Sequence, residues 1–227
     1  MKPYQFSKAD FEIVEFHNQL HPRIKVEPVY FNSGLSPRPD VYGRAIVLDS
    51  LLKALDNIPE HYGFLVWDVY RPRAVQATIF NWMREEIRKK MPHLSDEENF
   101  AETRKYASLP SAVGEDYCAP HLSGGAIDLT LIELETGHVL NMGTPFDECS
   151  DRAHLEYFDR KAELNSEEQV IRSNRHLLRS AMEAVGFSPY QYEWWHYDLG
   201  TMFWSRSVNQ PAPFGPLFGD NEWPINS

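Results

Sequence analysis

The segment His121-Leu122-Ser123-Gly124-Gly125-Ala126-Ile127-Asp128 constrains this chain more than any other. Two adjacent glycines let the backbone fold back tightly, and a strand-like alternation follows at once, from Ala126 to Ile132. In an extended chain successive side chains face opposite ways. Ile127, Leu129 and Leu131 therefore share one face, and Asp128 shares the other with Ala126 and Thr130. A histidine and an aspartate brought together by a glycine turn can supply nitrogen and oxygen ligands to zinc. The same spacing also fits a hairpin with a surface aspartate and a loop histidine.

The remaining pattern mixes helices with hairpin strands. Residues 1 to 43 read as irregular, punctuated by Pro22, Pro28, Pro37 and Pro39. Ile46, Val47, Leu51 and Leu55 place a short helix over 45–55. The run Phe64-Leu65-Val66-Trp67-Asp68-Val69 predicts a buried strand. Pro72 then opens a helix at its first position, where a missing N–H costs nothing. Ser95 with Glu98, and Ser166 with Gln169, resemble capping boxes for two more helices. The second carries Val170, Ile171, Leu177, Leu178, Met182 and Val185 and ends at Gly186. Glu135-Thr136-Gly137 marks a hairpin turn, and Tyr190 to Leu199 is an aromatic strand. The tail from Pro211 is expected to lie over the surface. With no βαβ rhythm, the expected class is α+β with a mostly antiparallel sheet and helices packed around it. The 227 residues fit a single domain, with 1–29 and 206–227 as poorly assigned extensions.

Two further segments carry candidate chemistry. In Glu193-Trp194-Trp195-His196 the histidine can complete a three-ligand zinc site. Glu193 can take a proton from water there, and the tryptophans can exclude solvent and raise its proton affinity. Positions three apart in a flat strand face opposite ways, so Glu193 and His196 meet at one metal only if the strand is bulged, twisted or ending. An aromatic core strand with two incidental polar residues is the competing reading. In Trp67-Asp68-Val69-Tyr70-Arg71-Pro72 an arginine sits at a strand-to-helix junction, where it can stabilise an oxyanion or simply pair locally. Asp147, in the loop Met142-Gly143-Thr144-Pro145-Phe146-Asp147, can bind a substrate ammonium group or serve the turn. The remaining histidines, His17, His21, His61, His93, His138, His154 and His176, lack paired ligand spacing; of these, His154 follows an acidic loop near the proposed site.

Composition excludes several partners. The net charge of -11 repels phosphate backbones and offers no polybasic patch for a membrane surface. No apolar run approaches the roughly 18 residues of a membrane span. Met1-Lys2-Pro3-Tyr4-Gln5-Phe6 lacks the apolar run of a signal peptide, so the expected compartment is the cytoplasm. Cys118 and Cys149 are expected as free thiols, or as a bridge between two loops.

Taken together, Trp-Asp-x-Tyr-Arg-Pro, His-x6-Asp-Leu-Thr-Leu, Met-Gly-Thr-x-Phe-Asp and Glu-Trp-Trp-His-Tyr resemble, in order and spacing, the D-alanyl-D-alanine dipeptidase family of zinc D,D-peptidases. The likeness runs over roughly residues 30 to 200. It implies a compact α+β peptidase fold and one zinc held by His121, Asp128 and His196. It also implies Glu193 as general base and then proton donor, and Arg71 as stabiliser of the tetrahedral intermediate. The implied partner is a small peptide, D-Ala-D-Ala or a related dipeptide from peptidoglycan metabolism. Where the family carries serines just before its first zinc histidine, this chain has Ala119 and Pro120. That departure bears on substrate more than on chemistry. A D,D-carboxypeptidase or endopeptidase acting on longer wall peptides, and a non-catalytic zinc-stabilised binding module, are the alternatives.

Overall fold

The alternation at 126–132 becomes the middle strand of a five-stranded mixed sheet. The computed structural model describes residues 4–224. Met1 to Pro3, the start of the leader reading, and Ile225 to Ser227 lie outside the described residues. The strands are β1 (Ile13–Phe16), β2 (Ile24–Val26), β3 (Val41–Arg44), β4 (Tyr62–Asp68), β5 (Ala126–Glu133), β6 (Ser188–Tyr190) and β7 (Glu193–Asp198). The helices are α1 (Val29–Asn32), α2 (Ala45–Ala54), α3 (Arg73–Lys90), α4 (Asp96–Tyr106), α5 (Ser166–Glu183) and α6 (Met202–Val208). The large sheet runs β2-β4-β5-β7-β6, and β1 pairs with β3 in a separate ribbon. Among the described residues only the β2–β4 pair is parallel, and the other strand pairs are antiparallel.

The two faces of β5 have different fates. Ile127, Leu129 and Leu131 join one apolar cluster with Val47 and Leu51 of α2 and Leu178, Ala181 and Met182 of α5. Burying apolar area on this scale is the main favourable term in folding, at roughly 25 cal/mol per Å2. The opposite face carries Asp128 and Thr130, which are also buried. Both glycines before the strand are needed there. Gly124 adopts φ +69, and a Cβ on Gly125 would meet the Leu199 carbonyl oxygen at 2.5 Å.

Two irregularities shape the sheet beside Asp128. Between Val66 and Asp68 the β4–β5 register shifts, so that Asp68 falls opposite Asp128. On the other side, Asp128 pairs with His196. Between Pro189 and Tyr190 the β6–β7 register also shifts: Pro189 faces Tyr197, whereas Tyr190 faces Glu193. Such a bulge bends its strand and increases its twist. It lies between Glu193 and His196, which removes the objection that a flat strand would point them apart.

Several boundaries differ from the sequence reading for identifiable reasons. The irregular stretch 1–43 contains β1, β2, α1 and most of β3, strands too short to show a period. Pro72 is the extended residue before α3, with ψ 159, rather than its first turn. The capping box of α4 forms at Ser95 and Glu98 as predicted, but that of α5 uses Asn165 and Glu168. Asn165 has extended backbone and so can cap, whereas Ser166 is already the first helical residue. Val170 is exposed, off the buried stripe of α5. Gly186, at φ +100, stands just past the end of α5, where the Phe187 N–H donates to the Met182 carbonyl. The segment from Tyr190 to Leu199 is not one strand: it takes in the end of β6, a two-residue turn and all of β7.

The tail is the largest correction. Phe214 and Leu217 are buried at 3% and 5% exposure, and the Leu217 N–H donates to the Leu122 carbonyl. Phe214 packs on Gly200 and stacks edge-on against Phe6 and Phe11. The Pro/Gly composition marked irregular backbone but not the two anchors within it. Truncating a buried phenylalanine typically costs about 3–5 kcal/mol. Phe214→Ala should therefore lower the urea midpoint by a corresponding amount; a loss below about 1 kcal/mol would return the tail to the surface.

Candidate metal centre

Asp68, Asp128 and His196 lie in one row across β4, β5 and β7. His121, in a short turn of 3-10 helix over His121–Ser123, swings in above that row. All four side chains are buried. His121 Nε2 lies 3.2 Å from His196 Nδ1 and 3.3 Å from Asp128 Oδ2. His196 Nδ1 lies 3.0 Å from Asp128 Oδ1. Ligand atoms about 2.0–2.2 Å from a tetrahedral zinc stand about 3.3 Å apart, so this spacing fits.

The far sides of the two rings sharpen that fit. His121 Nδ1 is 2.8 Å from the Val69 carbonyl oxygen, which can only accept. The proton of a neutral His121 therefore sits on Nδ1 and its Nε2 presents a lone pair. His196 Nε2 is 3.0 Å from Asp198 Oδ2, which places a proton there in the same way. Two ring lone pairs and a carboxylate thus converge on one point, an arrangement that calls for positive charge at its centre. A divalent cation can supply it. Protonation of His196 is the alternative. Burial works against that charge, but Asp198 and Asp128 outweigh it and raise the His196 pKa well above the ordinary value. Among the described residues, His121, Asp128 and His196 are the group whose ligand atoms all approach within 4.8 Å.

Asp198 is a residue the sequence reading missed. It lies two positions after His196 and so on the same side of the strand, which is the signal that could have found it. Thr201 Oγ1 donates to Asp198 Oδ1 at 2.7 Å and accepts from the Phe203 and Trp204 N–H groups, capping α6. The carboxylate that orients His196 is therefore itself fixed by a helix cap.

Arg71 reaches the same row from the β4–α3 junction. Its Nε donates to Asp68 Oδ2 at 2.9 Å and its Nη1 to Gln76 Oε1 at 3.0 Å. Its Nη2 donates to the Tyr30 hydroxyl at 3.1 Å and to Asp128 Oδ2 at 3.4 Å. Burial disfavours the guanidinium charge, but Tyr30, Asp68 and Asp128 more than compensate and raise its pKa. Burial likewise opposes the Asp128 carboxylate, yet His121 and His196 hold it well below the usual range.

Glu193 Oε2 lies 3.8 Å from His196 Nδ1. Burial, reinforced by Asp128 and Asp147, pushes the Glu193 carboxyl well above its ordinary pKa although His196 works the other way. Asp147 holds a left-handed backbone conformation, φ 59, and accepts from the Tyr30 hydroxyl at 3.2 Å. It serves the turn and lines the cleft at once. Burial pushes its pKa up to about 7. Together with the ligand set, Tyr30, Arg71, Tyr106, Asp147, Tyr190 and Glu193 line a narrow cleft. Trp195 lines it too, whereas Trp194 turns away and its indole N–H donates to Thr144.

Other candidates fall outside. His154 bonds Tyr106 through its ring rather than joining the ligand set. Cys118 and Cys149 are free and buried. Ala119 is buried, its N–H donating to Ser111 Oγ at 2.8 Å. No helix among the described residues is long and apolar enough to cross a membrane.

Residues 48–213, most of the chain and all four segments of the centre, match the family described as D-ala-D-ala dipeptidase. The chain belongs to this family. It is 35% identical over 157 residues to the D-alanyl-D-alanine dipeptidase of Enterococcus faecalis, covering 67% of this chain and 65% of that protein. It is 33% identical over 165 residues to the same-named protein of Enterococcus faecium, covering 70% and 73%. A third, from Synechocystis sp., is 29% identical over 205 residues, covering 85% and 81%. The chain thus spans a little under two thirds of the first relative's length. The α+β class expected from sequence agrees with membership.

Two measurements probe this geometry. Removing a carboxylate that orients a ligating histidine usually weakens metal binding about 10–100-fold, so Asp198→Asn should lose zinc to a chelator by that factor; unchanged affinity would leave Asp198 as part of the α6 cap alone. Asp147, with its folded pKa near 7 and an unfolded pKa of about 3.9, favours the protonated folded state. Its contribution is complete below about pH 4 and is lost as pH rises through 7. In metal-free protein, Asp147→Asn should therefore gain stability relative to the parent between pH 5 and pH 7, read from urea midpoints; parallel curves would show that Asp147 is solvated.

Proposed function

We propose that this chain is a zinc-dependent dipeptidase that hydrolyses D-Ala-D-Ala or a closely related dipeptide. The observation that carries the reading is the convergence of the His121, Asp128 and His196 ligand atoms within one buried cleft that also holds Glu193 and Arg71. Family membership and the names of the relatives support the substrate.

His121 Nε2, His196 Nδ1 and Asp128 would hold the zinc. The ion when bound supplies Lewis acidity, polarising the scissile carbonyl and making water acidic near neutral pH. Glu193 accepts a proton from the attacking water, whose oxygen bonds to the carbonyl carbon. As the C–N bond breaks, Glu193 returns that proton to the leaving amine. The high proton affinity that burial gives Glu193 suits both halves of this transfer. Arg71, held by Asp68, Gln76 and Tyr30, keeps a fixed positive charge beside the site where negative charge develops on the carbonyl oxygen. Asp147, paired with Tyr30, offers a carboxylate to the substrate ammonium group.

A purely structural zinc normally has four protein ligands. Three ligands beside a buried glutamate and arginine favour catalysis over a binding module. Glu193→Gln should retain one zinc per chain and lose about a thousandfold in kcat for D-alanine release from D-Ala-D-Ala. Parent-like turnover in that variant would remove Glu193 from the mechanism.

A further inference from the structure

His154 has no part in the ligand set, yet it stands one side chain away from the cleft. Tyr106 and Tyr190 line the catalytic cleft. On their far side His154 and Tyr192 line a surface groove wider than the cleft. The two sets touch directly. The Tyr106 hydroxyl and His154 Nε2 are 3.3 Å apart, and their rings lie within 24° of parallel. His154 packs edge-on against Tyr192 with ring centres 5.1 Å apart, and Tyr192 packs against Tyr190 at 5.6 Å. Tyr190 in turn lies against His196 at 5.7 Å. A continuous run of rings thus leads from the groove to a ligand of the metal centre.

We infer that these rings form a wall two side chains thick, Tyr106 and Tyr190 on the cleft side backed by His154 and Tyr192 on the groove side, that closes the catalytic cleft, and that the groove behind it is a latent subsite for a third residue of a longer peptide. The inference rests on the dipeptidase reading. The groove's own chemistry suits peptide. Gln191 offers amide hydrogen-bonding groups. Arg160 and Glu156 form an exposed ion pair at 2.8 Å, which presents both signs of charge to a zwitterionic chain. A nucleic acid or anionic lipid would meet Asp151 and Glu156 as well as the cations.

The wall can be opened without loosening its frame. The His154 carbonyl accepts from Arg175 Nη1 at 2.9 Å, and the Leu155 N–H donates to the Gln191 carbonyl. Both bonds belong to the main chain and survive loss of the imidazole. Tyr106 then loses the contact between its hydroxyl and His154 Nε2 and can swing into the vacated space, opening the cleft toward the groove. Cutting His154 back to its Cβ removes a ring from the wall and none from the cleft.

The test compares hydrolysis of tri-D-alanine with that of D-Ala-D-Ala by the zinc-loaded protein. Either scissile bond of the tripeptide leaves one residue to be housed beyond the dipeptide position. His154→Ala should raise the tripeptide-to-dipeptide ratio of kcat/KM at least tenfold over the parent, while His154→Phe, which keeps a ring in the wall, should leave the ratio near the parent's. A parent-like ratio in His154→Ala with dipeptide hydrolysis intact overturns the wall, as does an equal rise in His154→Phe. If the parent cleaves neither peptide, the dipeptidase reading itself fails and the wall inference falls with it, an outcome distinct from the other two. If His154→Ala does not fold, Tyr192→Ala opens the same wall from the groove side and is held to the same ratio.

Discussion

Charge balance in a buried row governs this structure. Asp68, Asp128 and Asp198 are all buried on or beside one face of the sheet, with His121, His196 and Arg71 as their partners. An isolated carboxylate in such surroundings would be neutralised or expelled. Here Asp68 and Asp128 face Arg71, Asp198 faces the His196 ring N–H, and the remaining lone pairs converge where a cation can bind, so the burial is tolerable only as a set. The β4–β5 bulge that sets Asp68 opposite Asp128 and the β4–α3 junction that delivers Arg71 both bring members of that set together. Removing one member leaves its neighbours buried and unpaired, which is costlier than never having placed the pair.

Much of this was legible in the sequence because it follows period and turn chemistry. The glycine pair announced a turn into a buried strand, and the alternation after it put Asp128 on the face opposite Ile127 and Leu129. The four motifs, taken in order, pointed to the family. What stayed hidden is long-range. Nothing local says that Tyr30, from a stretch that reads as irregular, arrives beside Arg71, or that Asp68 falls opposite Asp128. Short strands such as β2 carry too few residues to display a period, and their existence depends on the edge of β4 they pair with.

The bulge between Glu193 and His196 illustrates how a conflict between local geometry and chemistry can be informative. A regular strand would separate the two residues, so either the chemistry or the regularity had to yield. The register shift at Pro189 and Tyr190 shows that regularity yields. The same logic applies to Asp147, whose left-handed backbone is unusual for a residue with a side chain and holds its carboxylate toward the cleft.

The row also has a thermodynamic side. His121 and His196 are 75 residues apart in sequence, and Asp128 and His196 are 68 apart. Their ligand atoms meet only when β5 and β7 are paired and the glycine turn is closed, so an unfolded or half-folded chain never presents all three together. A cation that used all three would be a ligand of the native state alone. By linkage, it would add stability in proportion to the logarithm of its free concentration once that exceeds the dissociation constant. For this fold, the metal supply of the surrounding solution becomes a folding variable in the same sense as temperature or denaturant.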